Sequence, residues 1–278
     1  MKLKTILLQF LALTLIISCD QAKIKKAEET LKTFETAYKS EDLATAVECF
    51  PEFCALEGSF RKIDELAIQT AEVKENDQVV ITAKSNWKNP MGQLFSYDVT
   101  FYLNPIKKEG KDKYIISTTK NFTDFSNSYV FMYALKKKPT MISANDQDKS
   151  KFVKENQEDY VNAVNHLRKY IKRHLKISNF TWSSGYYSDY ASGSAVVKNE
   201  TGYTLPSVKY QVSYYDRKDN LITQDVGTVT YNNFTPGQMI SFPFFTSAIG
   251  NAHQASVSCY VDDETFLQQL ATQVQSTN

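Results

Sequence analysis

Between residues 93 and 103 apolar and polar side chains alternate without a break. Phe95, Tyr97, Val99, Phe101 and Leu103 fall on one side, with Ser96, Asp98, Thr100 and Tyr102 on the other. A period of two is that of a half-buried β-strand, whose successive side chains point to opposite faces. A helix would scatter the same row around its axis. The chain must therefore build a sheet with one covered face, and its neighbours supply one. Residues 63–74 and 78–88 are strand candidates, the latter with Val79, Ile81, Ala83 and Trp87 on one side, and Tyr114 to Thr118 is a fourth. Glu75-Asn76-Asp77 and Asn89-Pro90-Met91-Gly92 are turns. What covers the sheet comes before it. Ile24, Ala27, Leu31, Phe34, Ala37 and Tyr38 recur at three- and four-residue spacing, as one face of a helix ending near Lys39. Ser40 with Glu41 and Asp42 reads as the cap and acidic first turn of a second, short helix. Leu43, Ala46, Val47 and Phe50 form its apolar face and Pro51 closes it. Helices followed by an antiparallel meander make an α+β layer.

A second strand zone spans 177–262. Segments near 177–184, 194–199, 205–215, 221–231, 238–245 and 254–261 are separated by Gly, Asn, Asp and Pro turns, the pattern of an all-β sandwich. Between the zones, Tyr129 to Leu135 is an apolar run stopped by Lys136-Lys137-Lys138-Pro139. These lysines could touch anionic lipid, but a solvated helix end is the favoured reading. Asn145-Asp146-Gln147-Asp148 reads as polar linker and helix start, within a segment 143–151 expected to be a boundary that few contacts cross. Phe152, Tyr160, Val164, Leu167, Ile171 and Leu175 then share one face of a joining helix.

The N-terminus has its own grammar. Lys2 and Lys4 precede an apolar run from Ile6 to Ile17, broken only by Gln9 and Thr14 and followed by Ser18 and Cys19. That order is a secretory signal, and the run is too short for the roughly 20 residues that span a bilayer. Ile16-Ile17-Ser18-Cys19 resembles a bacterial lipobox, although Leu is commoner at its first position. The resemblance implies cleavage before Cys19 and a lipid on that residue. The acidic run that sends related lipoproteins to the outer surface is missing from Asp20-Gln21-Ala22-Lys23, so a periplasm-facing protein is expected. The expected organisation is a signal peptide over 1–18, an α+β domain over 19–125, a helical connector over 126–176, a β-sandwich over 177–262 and a polar tail over 263–278. One helical turn around Phe266, Leu267 and Leu270 is expected in that tail.

Two further resemblances bear on the domains. Asn89-Pro90-Met91-Gly92, Phe101-Tyr102-Leu103 and Lys113-Tyr114-Ile115-Ile116 resemble segments of uncharacterised lipoproteins. The layer as a whole looks like the cystatin or nuclear-transport-factor class of curved sheet over a helix. In the second zone, Gly193 to Asn199, Leu205-Pro206-Ser207-Val208, Val212 to Asp216 and Pro236-Gly237 before Phe242 resemble an FxLYD-type immunoglobulin-like domain. Val212 and Tyr214 replace the Phe and Leu of its motif but keep the strand alternation. The resemblance implies a fold and no catalytic activity.

Chemistry-bearing motifs are few. His166 and His174 lie eight residues apart on the joining helix, about 12 Å along its axis, too far to share a metal. His253 has no partner at zinc-ligand spacing. No phosphate loop, GxSxG elbow or HExxH occurs. Asp216, Asp219 and Asn220 read as a hairpin turn rather than calcium ligands, and Asp262-Asp263-Glu264 as a solvated strand end. Cys49 and Cys54 flank Pro51 and are either a bridge or two small apolar residues, while Cys259 reads as a buried thiol. Residues 1–18 hold two of the 32 basic residues and none of the 31 acidic ones, so the remainder is one short of neutrality, which argues against nucleic acid. Tyr186, Tyr187 and Tyr190 lie on a Ser/Gly-rich loop between two strands, suited to a protein or glycan partner, although packing on the sandwich is open to two of them. The expectation is a non-enzymatic, cofactor-free envelope protein held to the membrane by Cys19. The alternative is a small-molecule binder or enzyme with a pocket in the N-terminal sheet.

Overall fold

The computed structural model describes residues 2–108, 110–184 and 190–274, with side chains from residue 19 onward except at 111. It is an α+β protein whose sheets are antiparallel throughout, and it divides into two compact units, Met1–Gln157 and Glu158–Asn278.

Unit 1 begins with α1 (Lys2–Lys39) and α2 (Leu43–Cys49). The α2 cap is Asp42, whose carboxylate accepts from the Thr45 N–H at 3.2 Å. Ser40 instead bonds back to the Thr36 carbonyl. The short strand β1 (Ser59–Phe60) follows, then the meander β2 (Glu65–Val73), β3 (Val79–Lys88), β4 (Leu94–Lys108) and β5 (Lys111–Lys120). Its order is β2-β3-β4-β5, and β6 (Thr123–Asp124) returns to pair with β1.

α1 lies on the sheet because Ala27, Leu31, Phe34 and Ala37 form one stripe that is almost wholly buried. Phe34 sits at the centre of an aromatic cluster, with Phe50, Phe53 and Phe122 ring centroids at 5.7–5.9 Å and Phe101 at 6.4 Å. From the sheet come Val79, Ile81, Val99, Phe101, Leu103 and Ile116.

Two departures from the alternating pattern have local causes. β4 runs on through Pro105, past the alternating stretch that ends at Leu103. Val79 at the start of β3 pairs with Leu103, so beyond that point β4 has only β5 beside it and the missing proline N–H breaks no ladder on the other side. A bulge at Ser117 then shifts the inward phase of β5, so that Ile116 and Thr119 are both buried.

After β6 come α3 (Tyr129–Leu135), capped by Ser128, and α4 (Asp146–His174). The segment expected to be a polar boundary is instead anchored in unit 1. Asp146 is buried and accepts from Thr119 Oγ1 at 2.7 Å and from the N–H groups of Asn121, Phe122 and Thr123 at 3.0–3.2 Å. Gln147 bonds Thr118, the Thr119 N–H and the Ser117 carbonyl, while Ser150 reaches the Ala55 carbonyl. Four polar residues in a row read as solvent-exposed, but a carboxylate facing several N–H groups is satisfied in the interior.

Unit 2 holds the rest of α4, with Tyr160, Val164, Leu167 and Ile171 buried along one face. Then come β7 (Leu175–Ser184), β8 (Ala191–Asn199), β9 (Val208–Tyr215), β10 (Leu221–Thr230), β11 (Met239–Thr246) and β12 (Gln254–Tyr260). They form two three-stranded sheets, β10-β9-β12 and β11-β8-β7. The inner rows meet: Tyr210 of β9 stacks on Phe242 of β11 at 5.0 Å, and Tyr214 packs edge-on against Trp182 of β7 at 5.5 Å. Tyr214 donates to Thr246 at 3.2 Å, so its hydroxyl is paired inside the core.

Asn199, at the end of β8, is fully buried and uses its whole side chain. Its Nδ2 donates to the Tyr203 and Phe234 carbonyls, and its Oδ1 accepts from the Thr201 N–H and hydroxyl. The tail expected to be polar forms α5 (Glu264–Val274), with Leu267, Leu270 and Ala271 buried; residues 275–278 lie outside the described residues. Asp263 caps this helix through the Phe266 N–H, Asp262 pairs with Lys209, and Glu264 pairs with Arg168. The three acids are therefore committed to a helix start and two ion pairs rather than to a free strand end.

Candidate functional site

Along β11 the side chains of Phe242, Phe244 and Thr246 point into the core, so Pro243 and Phe245 must point out. Phe245 pairs across to Ser192 of β8, and Tyr190 sits one step beyond the start of that strand. The two rings lie 5.4 Å apart with planes inclined at 23°, and they are 65% and 49% exposed. Hydroxyl side chains continue along the same outward row: Ser192 opposite Phe245, Ser194 opposite Pro243, and Thr181 of β7 3.5 Å from Ser194. An exposed, mutually ordered aromatic pair on a rigid sheet offers contact area at little further entropic cost.

Of the three tyrosines expected to meet a partner, Tyr190 is therefore solvent-facing on this pair, whereas Tyr186 and Tyr187 lie outside the described residues. Sequence reasoning missed Phe245. The signal was present: phenylalanine at 242, 244 and 245 of a period-two strand cannot all face inward.

Cys19 lies on α1 and is exposed. Among the described residues no helix is long and apolar enough to cross a membrane.

The covered face of the unit 1 sheet is occupied. Phe101 is fully buried in the Phe34 cluster, and Trp87 stacks on Phe95 at 5.0 Å. The cations Lys62 and Arg61 lie over the Trp87 and Tyr97 rings at 4.9 and 4.4 Å.

A buried carboxylate and a buried ammonium lie together at the start of α4. Burial pushes the Asp146 carboxyl up against the pull of its four donors, and burial draws the nearby Lys149 ammonium down. Since both Asp146 oxygens accept from the 119–123 segment, through three backbone N–H groups and the Thr119 hydroxyl, this is a latch on that segment.

The remaining candidates are structural. His174 stacks on Tyr170 at 4.0 Å, and its Nδ1 lies 2.9 Å from the Tyr170 carbonyl. Asp216 accepts from the N–H groups of Lys218 and Asn220 and from the Asn220 amide, bonds that hold its carboxyl below the usual range; Asp219 sits at φ +61°. This is turn chemistry. Among the described residues no group of three or more His, Cys, Asp or Glu side chains is placed to hold a metal ion.

Cys49 and Cys259 are buried free thiols and Cys54 is an exposed one. Burial pushes the Cys259 thiol up to about 12. A free thiol titrates near 8.5, so the stabilisation from keeping Cys259 neutral is complete below about pH 8.5 and drains away as pH rises toward the folded value. Denaturant titrations between about pH 9 and pH 11 should show the native chain losing stability faster than Cys259→Ala. Parallel pH profiles would contradict this.

Comparison of the chain with family models, with curated proteins and with solved structures finds no match.

Proposed function

We propose that this chain is a lipid-anchored protein of a bacterial cell envelope, facing the periplasm, that acts by binding or by supporting structure rather than by catalysis. The observation that carries the binding role is the Tyr190–Phe245 pair. The rings of Tyr210, Tyr214 and Phe242 are spent on the core, yet Tyr190 and Phe245 are stacked on each other in solvent. Support for an FxLYD-type immunoglobulin-like unit comes from two positions of the quoted motif. Gly193 lies where a cross-strand ring and a backbone carbonyl leave no room for a Cβ, and Asn199 is a four-bond hub. The lipobox supports the anchor. The alternative, a pocket in the N-terminal sheet serving a small molecule or a reaction, is disfavoured by the aromatic side chains that fill that face.

Two experiments test the reading. Lipid labelling of the wild-type chain should be lost in Cys19→Ser, with the precursor uncleaved at that site, and protease added to intact cells should leave the protein whole. Equal labelling of wild type and mutant would remove the anchor. A photo-crosslinking residue at position 245 should capture an envelope protein or glycan, and Tyr190→Ala should weaken that capture by about 1–2 kcal/mol without lowering thermal stability. Crosslinks unchanged by Tyr190→Ala would move the binding face elsewhere.

A further inference from the structure

Resting on the anchor reading above, the structure assigns one end of unit 1 to direct contact with the bilayer that holds Cys19. α1 is helical through Cys19 and onward without a break. The fold grips it within one turn: Lys23 Nζ donates to Asp20 at 3.2 Å and to Asp77, in the β2–β3 turn, at 2.8 Å. Ile24 already packs on the core, and Ala27 is wholly buried. At 1.5 Å per helical residue, Ala27 is about 12 Å from Cys19. A flexible tether of about 20 residues would let a domain wander roughly 25 Å. Between the lipid-bearing residue and the core of this protein there is no such tether.

Which end faces the membrane follows from the pairing. β2 starts beside the C-terminal end of α1, where the Leu66 N–H donates to Glu35 and Lys39 reaches the Asp64 carbonyl. It finishes beside Lys23. The turn at 74–78 therefore lies at the end from which α1 emerges, with Tyr114 donating to the Asp77 carbonyl at 3.1 Å. β4 continues past the Leu103–Val79 pair toward the same end. The Asn89–Gly92 turn lies at the opposite end of β3 and β4.

Charge does not direct the contact. Among the described residues at this end, Lys25, Lys26, Lys107 and Lys113 stand outside ion pairs, and so do Glu28, Glu29, Glu75 and Asp112. The balance gives anionic headgroups nothing to select, so anchor and helix set the seating. Unit 1 is then held at the membrane surface.

The test uses the full lipidated chain in vesicles of phosphatidylethanolamine and phosphatidylglycerol carrying a headgroup-attached quencher. A fluorophore is placed at Glu75→Cys or at Met91→Cys, both in a Cys54→Ala background. Quenching should be several-fold stronger at 75 than at 91, and unchanged when phosphatidylcholine replaces phosphatidylglycerol. A Gly/Ser insert of about 20 residues between Asp20 and Gln21 should erase the difference. Equal quenching at both positions in a chain that carries its lipid would overturn the direct seating while leaving the anchor intact. Absence of lipid on Cys19 would overturn the anchor and the seating with it.

Discussion

Asp146→Ala should cost unit 1 about 4–6 kcal/mol, the largest loss expected of any single polar side chain here. One carboxylate oxygen accepts from Thr119 Oγ1 and from the Phe122 and Thr123 N–H groups, and the other accepts from the Asn121 N–H. The Thr119 hydroxyl can turn to a new partner, but backbone N–H groups cannot. Each buried donor left unpaired costs about 1–3 kcal/mol. Lys149, only 6% exposed, would lose its strongest compensating charge as well. Asp146→Asn keeps one carbonyl oxygen and places an amide against the remaining donors, so about half the loss is expected. Denaturant midpoints read by unit 1 tryptophan fluorescence would check both, since Trp87 lies there and Trp182 in unit 2 can be replaced by Phe. An Asp146→Ala chain within about 1 kcal/mol of wild type would show that water replaces the carboxylate and that the latch is dispensable.

Strands were the most legible part of the sequence and buried polar groups the least, for one physical reason. Alternation is a local signal, written in adjacent residues such as Phe95 to Leu103, and it placed the strands of both units nearly where they lie. Asp146 carries no such mark. Its role depends on the 119–123 backbone, more than twenty residues away, turning its N–H groups toward one point, and nothing within Asn145-Asp146-Gln147-Asp148 announces that. α5 was obscured for a related reason. Its polar Gln and Thr residues outvote Leu267, Leu270 and Ala271 by count, although the three- and four-residue spacing was there. At the candidate binding face, Tyr190 was legible from its loop, whereas Phe245 required knowing which way β11 faces. The two come together only through the β8–β11 register.

Gly193→Ala should cost about 3 kcal/mol or more, although it adds a single methyl group in a strand where alanine is ordinarily the better residue. The residue lies on β8 between Trp182 and Phe244 on the flanking strands. A Cβ built there would stand 2.2 Å from Phe244 Cζ and 2.3 Å from the Thr181 carbonyl oxygen. A ring can swing aside, but this one is buried and stacked on Phe180 at 5.8 Å. The carbonyl cannot swing, because it belongs to the ladder beside the Ser178–Thr181 bulge. Relief therefore requires β7 and β8 to part, which sacrifices pairing as well as packing. Gly227, which lies under the Tyr210 ring on the facing sheet, shows the contrast. There a Cβ would meet only side-chain atoms, 2.4–2.6 Å away, so a shift of the ring can absorb part of the strain. Gly227→Ala should accordingly be the milder of the two. Thermal unfolding of both variants decides the matter: the larger drop in melting temperature should fall on Gly193→Ala, and the reverse order would mean that the β7–β8 edge yields more easily than the Tyr210 ring.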